Sequence, residues 1–121
     1  MSKRILVVED HEDNRQILRD LLGSAGYEMI EAWDGEAAIE KAPAEKPDLI
    51  LMDIQLPGID GYETTRRIKG NPVTAATPII VVTSYALSGD EEKARAAGCD
   101  AYVAKPYSPR QLLAKIREFL D

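Results

Sequence analysis

Asp53 closes the apolar run DLILMD and is followed at once by a Pro-Gly turn in IQLPGIDG. A carboxylate at the end of a stretch that reads as buried is costly to desolvate, so its presence there asks for a chemical reason. Two more acids, Glu9 and Asp10, follow the apolar run RILVV; Thr83 and Ser84 follow PIIVV; Lys105 follows DAYVA, immediately before Pro106. Clustered carboxylates repel one another, and a hard divalent cation is their natural neutraliser. Mg2+ is the expected ion, because it suits a few carboxylates supplemented by waters and a phosphate. A carboxylate is also a usable nucleophile toward phosphorus once a metal and an ammonium neutralise the oxygens of the transferring group. In such chemistry Lys105 would supply a point charge and Thr83 a hydroxyl donor.

The elements that would position these residues are legible as an alternation. RILVVED (4–10), YEMIEA (27–32), DLILMD (48–53), PIIVVTS (78–84) and DAYVAKP (100–106) read as five short strands, with stretches of helical period between them. In the first helix Asp13 is expected to cap the N-terminus with Gln16 three residues on. Ile17, Leu18, Leu21 and Leu22 should form its apolar face, and Gly26 suits a left-handed C-terminal position. Pro43 is expected to stop the second helix near Ala42. Ser88 with Glu91, and Ser108 with Pro109 and Gln111, read as starts of the fourth and fifth helices; the fifth should bury Leu112, Leu113, Ile116 and Leu120. The segment NPVTAATP (71–78) reads as an irregular link. Strands apolar on both faces, alternating with helices, imply an α/β fold: a doubly wound parallel sheet with helices on both sides. Ligands of such sheets bind beyond the carboxyl ends of the strands, which is where the acids, the hydroxyls and Lys105 fall.

Composition narrows the partners. The 121 residues make one domain, 1–121, and the net charge of −6 disfavours nucleic acid or an anionic membrane as a direct partner. No apolar run approaches the roughly 20 residues that cross a bilayer. With the single cysteine Cys99 there is no internal disulfide, and no secretion signal is evident, so a cytoplasmic protein is expected. Cys99 reads as a small packing residue, the single histidine His11 as a loop residue without a role, and Trp33 as packing or an interaction anchor. Gly58 and Gly61 read as serving the turn and the start of the third helix.

Taken together, Glu9-Asp10 after a first strand, Asp53 in LMDIQLPGIDG, Thr83 in VVTSYA, and Lys105-Pro106 in AYVAKPYS resemble the receiver domains of bacterial two-component response regulators over the whole chain. The resemblance implies a five-stranded (βα)5 flavodoxin-like sheet in the order 2-1-3-4-5. It implies that Asp53 takes a phosphoryl group from a histidine kinase or a histidine phosphotransferase. Glu9, Asp10, Asp53 and the backbone carbonyl of Gln55 would hold Mg2+, for which Mn2+ would substitute. Thr83 and Lys105 would contact the phosphoryl oxygens, and the Lys105-Pro106 peptide would be cis. Tyr102 would be the aromatic that swings inward on activation, with Thr83 the other switch residue, and Gln55 and Tyr85 would govern water access. Such a protein is no enzyme beyond its own phosphorylation and dephosphorylation.

Some positions depart from that pattern. Glu9 stands where many members have aspartate, and Ser84 where a small residue, often alanine, is usual. An aspartyl-nucleophile phosphohydrolase would also place an acid after a buried strand, but its second acid would fall at Gln55. A flavodoxin-like cofactor carrier would need a Gly-rich loop where this chain has EDHEDN, whose acids repel a phosphate. The chain runs from Met1 straight into the first strand and ends at Asp121 after the fifth helix, as a stand-alone receiver would, the alternative being a fragment of a longer hybrid kinase or regulator. The resemblance extends to the chemotaxis-regulator and DivK-like kinds. Output would then be through a downstream protein docked on the fourth helix, fifth strand and fifth helix, the fourth being held only by alanines.

Overall fold

A computed structural model describes residues 2–83 and 90–121. Five strands, β1 (Arg4–Val8), β2 (Glu28–Ala32), β3 (Leu49–Asp53), β4 (Ile79–Thr83) and β5 (Ala101–Ala104), alternate with α1 (Glu12–Ser24), α2 (Gly35–Glu45), α3 (Gly61–Lys69), α4 (Asp90–Ala96) and α5 (Pro109–Leu120). All neighbouring strands are parallel, in the order β2-β1-β3-β4-β5, as the resemblance implied. Strand alternation divides the core into two layers. Leu6, Val8, Ile50, Met52, Ile79 and Val81 meet Ala38 and Ala42 of α2, Ile68 of α3 and Ala94 of α4. On the other face Ile5, Val7, Leu49, Leu51, Ile80 and Val82 meet Leu18 and Leu22 of α1 and Leu112 and Ile116 of α5.

Three helix expectations need correction. Asp13 is not the cap of α1: the N-cap is His11, whose side chain makes no capping bond, and the helix begins at Glu12. The Glu9 carboxylate takes over that task by accepting the His11 N–H at 3.1 Å, so the helix starts earlier than Asp13 would allow. Ile17 does not join the apolar face; it is 61% exposed, and the fully buried third member of that face is Arg15 beside Leu18 and Leu22. Nor does Pro43 end α2 near Ala42. The helix continues to Glu45, because Arg4 grips the turn beyond the proline, through Nη1 to the Glu45 carbonyl and Nη2 to its carboxylate, each at 2.6 Å. Lys46, at φ 49°, closes the helix in the left-handed region.

Elsewhere local chemistry acts as read. Gly26 is left-handed at φ +88°, and Ser108 and Gln111 form a capping box on α5. Leu112 and Ile116 are buried, with Leu113 and Leu120 half-buried. Cys99 packs in the core. In the 71–78 link the Thr74 hydroxyl is buried and donates to the Ile68 carbonyl at 2.6 Å. Among the described residues no helix is long and apolar enough to cross a membrane. Ser84, Tyr85 and Ser88 lie outside the described residues.

Candidate functional site

The carboxyl ends of β1, β3, β4 and β5 bring the predicted groups together. β1 ends at Val8, one residue earlier than the acids, so Glu9 and Asp10 sit in the loop beyond it; Asp53 is the last residue of β3 and Thr83 of β4. Lys105 follows β5, its amide donating to the Thr83 carbonyl at 2.7 Å, and the Lys105-Pro106 peptide is cis. One carboxylate oxygen each from Glu9, Asp10 and Asp53 lies within 4.8 Å of the other two. The Lys105 ammonium is 3.6 Å from Glu9 Oε1 and 3.7 Å from Asp53 Oδ2. Three acids against one ammonium leave the cluster with surplus negative charge in a poorly hydrated place, since Glu9 and Asp53 are both buried.

The donor set fits a hard cation. Asp10 Oδ1 is buried and has no hydrogen-bond partner, an oxygen left available to a ligand. His11 Nε2, at 3.9 Å, is too far from it for a hydrogen bond. Asp53 Oδ1 accepts the Gln55 amide at 3.3 Å, and Gln55 is exposed on a cleft that it shares with Asp10, Pro57 and Asp60. A second cleft, of about 680 Å3, opens between α1 and α5 and reaches Glu9, Asp53 and Lys105 from the other side. Thr83 is buried, and Tyr102 is half-buried against the core layer of α2, α3 and α4.

Three residues beyond those read from the sequence shape this site, together with Gly61. Asn14 Nδ2 donates to Glu9 Oε1 at 3.3 Å, and Arg15 Nη1 donates to the Glu9 carbonyl at 2.9 Å. Tyr107 lies against the same charges: burial, and then the negative charges of Glu9 and Asp53, push its phenol above the ordinary value. Gly61, at the start of α3, passes so close to β3 that a Cβ there would stand 2.2 Å from the Asp53 carbonyl oxygen. Only glycine admits that approach, and the Gly61 amide bonds the Ile54 carbonyl at 2.9 Å, so α3 braces the strand end that carries Asp53. Asn14 and Arg15 were hidden because each reads as an ordinary polar residue of an amphipathic helix.

Residues 5–117 match the response regulator receiver domain family. Over 120 residues the chain is 42% identical to the polar-differentiation response regulator DivK of Brucella anthropi, covering 99% of this chain and 98% of that protein. The receiver domain of the sensor histidine kinase PA1611 from Pseudomonas aeruginosa, whose crystal structure has a magnesium ion coordinated in the active-site cleft, superposes with a TM-score of 0.92 at 36% identity, covering 99% of this chain and 98% of that one. The chemotaxis protein CheY4 of Vibrio cholerae superposes equally well, with a TM-score of 0.92 at 28% identity over 98% of this chain and 99% of that one.

Proposed function

This chain belongs to the response regulator receiver domain family of two-component signalling, and on that premise we propose that Asp53 is its phosphoacceptor. The Asp53 carboxylate attacks the phosphorus of a phosphohistidine on a histidine kinase or phosphotransferase. An O–P bond forms, the P–N bond breaks, and its electron pair returns to the imidazole. Glu9, Asp10, Asp53 and the Gln55 carbonyl would hold Mg2+, or Mn2+ in its place. When bound, the cation neutralises charge on the transferring group. Lys105 leaves its pairings with Glu9 and Asp53 to take a phosphoryl oxygen, and the Thr83 hydroxyl donates to another. A water that later attacks the phosphorus breaks the Asp53 O–P bond, releases inorganic phosphate and returns the carboxylate, so the only chemistry is the protein's own phosphorylation and dephosphorylation. Residues 1–121 act as one receiver in the cytoplasm, and the new contacts of Thr83 and Lys105, followed by Tyr102, alter a docking face on α4, β5 and α5. The resemblance to DivK-like receivers favours a phosphorelay as the setting.

The observation that supports this reading most strongly is the convergence of three strand-end carboxylates, two of them buried, with Lys105 within 4 Å of two of them. Incubation with acetyl phosphate and Mg2+, followed by mass mapping of the modified peptide, tests it. One phosphoryl group on Asp53, absent with EDTA and absent from D53N, is the expected result; equal labelling of D53N removes Asp53 as the acceptor.

A further inference from the structure

Arg15 is a cation with 4% exposure in a helix whose other buried residues are leucines. Burying a guanidinium is costly unless it is paired and hydrogen-bonded. Here Nη1 donates to the Glu9 carbonyl at 2.9 Å and Nη2 to Glu12 at 2.7 Å, while Nε, buried and without a hydrogen bond, is paired in charge with Glu31 at 3.2 Å. The Arg15 Cζ lies over the Trp33 ring, 4.7 Å from the centroid; Trp33 is itself 63% exposed and so covers the guanidinium against solvent. Tying α1 to β2 does not explain the arrangement, because Arg19 already pairs with Glu31 at 2.7 Å and Glu12 at 3.5 Å from the surface. What Arg15 adds is the Glu9 carbonyl. The preceding peptide is held as well, the Glu9 amide donating to the Ala32 carbonyl at 3.0 Å, one residue before Trp33, so Glu9 is tied on both sides of its Cα.

We propose that Arg15 is a positioning residue of the cation site: under the cover of Trp33 it fixes the Glu9-Asp10 dipeptide, and so sets the affinity for Mg2+ without touching the ion. The proposal rests on the reading of Glu9, Asp10 and Asp53 as metal ligands. A partner that orients a ligand from behind changes metal affinity by roughly 10- to 100-fold when it is removed. The sign of the effect separates this role from two others. A cation beside a cation site repels the ion, so electrostatics alone makes Arg15→Met bind Mg2+ more tightly. A purely structural staple lowers the melting temperature in EDTA and leaves Mg2+ affinity unchanged. Positioning makes binding weaker although a repelling charge has been removed.

Calorimetric titration of the wild type, Arg15→Met and Arg15→Lys with Mg2+, accompanied by thermal melts in EDTA, decides the matter. The expected result is a dissociation constant raised about tenfold in Arg15→Met. Arg15→Lys, which keeps the charge and one donor but not the fork, should fall between that and the wild type. If Arg15→Met does not fold, Arg15→Lys carries the test alone through its weaker binding. Folded variants that bind Mg2+ as tightly as the wild type, or more tightly, overturn the proposal. A wild type that binds no Mg2+ overturns the metal site itself and this role with it.

Discussion

Helices α1 and α4 flank the same sheet but are held to it very differently. α1 buries Leu18, Leu22 and Arg15, and its arginines reach Glu31 on β2 and the Glu9 carbonyl beside the site. Among the described residues, α4 buries Ala94, with Ala97 just beyond its end, and its ion pair of Arg95 with Glu91 runs along its own exposed surface. A fully buried leucine is worth about 1.5 to 3 kcal/mol of transfer free energy, and an alanine methyl roughly a third of that. Surface pairs within one helix add a few tenths of a kcal/mol. The difference assigns two duties: the side that holds the acids is fixed, and the side proposed to carry the output is cheap to move.

The comparison can be broken most severely on the α1 side. Leu22→Ala should lower the unfolding free energy by about 3 kcal/mol, because it opens a cavity in a fully packed layer; urea denaturation measures it. Asp10→Asn should act in the opposite direction. With three carboxylates within 4.8 Å and Asp10 Oδ1 unpartnered, removing one charge should stabilise the protein in EDTA by about 1 to 2 kcal/mol. The same variant should lose most of the rise in melting temperature that millimolar Mg2+ gives the wild type. Melts in both buffers check the pair of effects, and a variant melting below wild type in EDTA would make Asp10 a structural acid. On the other side, Ala94→Gly should cost only about 1.5 to 2 kcal/mol, about 1 for the backbone entropy of a helical glycine and the rest for the buried methyl, and urea denaturation should find α4 the more tolerant helix.

The smallest effect is one of pH. Burial and the charges of Glu9 and Asp53 raise the Tyr107 phenol above its ordinary value near 10. A raised folded value means that the folded state holds the proton better, so this contribution is whole below about pH 10 and is lost as pH rises through the folded value. Wild-type stability should therefore fall more steeply above pH 10 than that of Tyr107→Phe, as followed by denaturation at a series of alkaline pH values.

The sheet was legible because its strands are continuous β-branched and leucine runs ended by turn residues, and periodicity of that kind survives in any tertiary context. Glu9, Asp10, Asp53 and Lys105 were legible for a related reason, since a charge at the end of an apolar run contradicts its surroundings; Thr83, an ordinary strand residue by itself, was legible only in their company. Arg15 escaped notice because a lysine or arginine on a helix is ordinarily solvated, and only the folded position of Trp33 and Glu31 gives it a buried home. The end of α2 was misjudged because proline's local penalty was weighed without Arg4, which is 41 residues away from Glu45 in sequence. Asp13 misled in the same way, since Glu9 reaches into the helix start from outside it. Gly61 was visible as a glycine, but its purpose was not, because a close approach between α3 and Asp53 leaves no periodic trace.

The division between a fixed and a yielding side is tested most directly by hydrogen exchange, followed by mass spectrometry before and after phosphorylation with acetyl phosphate. The account predicts that protection changes in α4, β5 and the start of α5, whereas amides of α1 around Arg15 and Leu18 exchange alike in the two states. Changes concentrated in α1 or α2, with α4 unaltered, would contradict it.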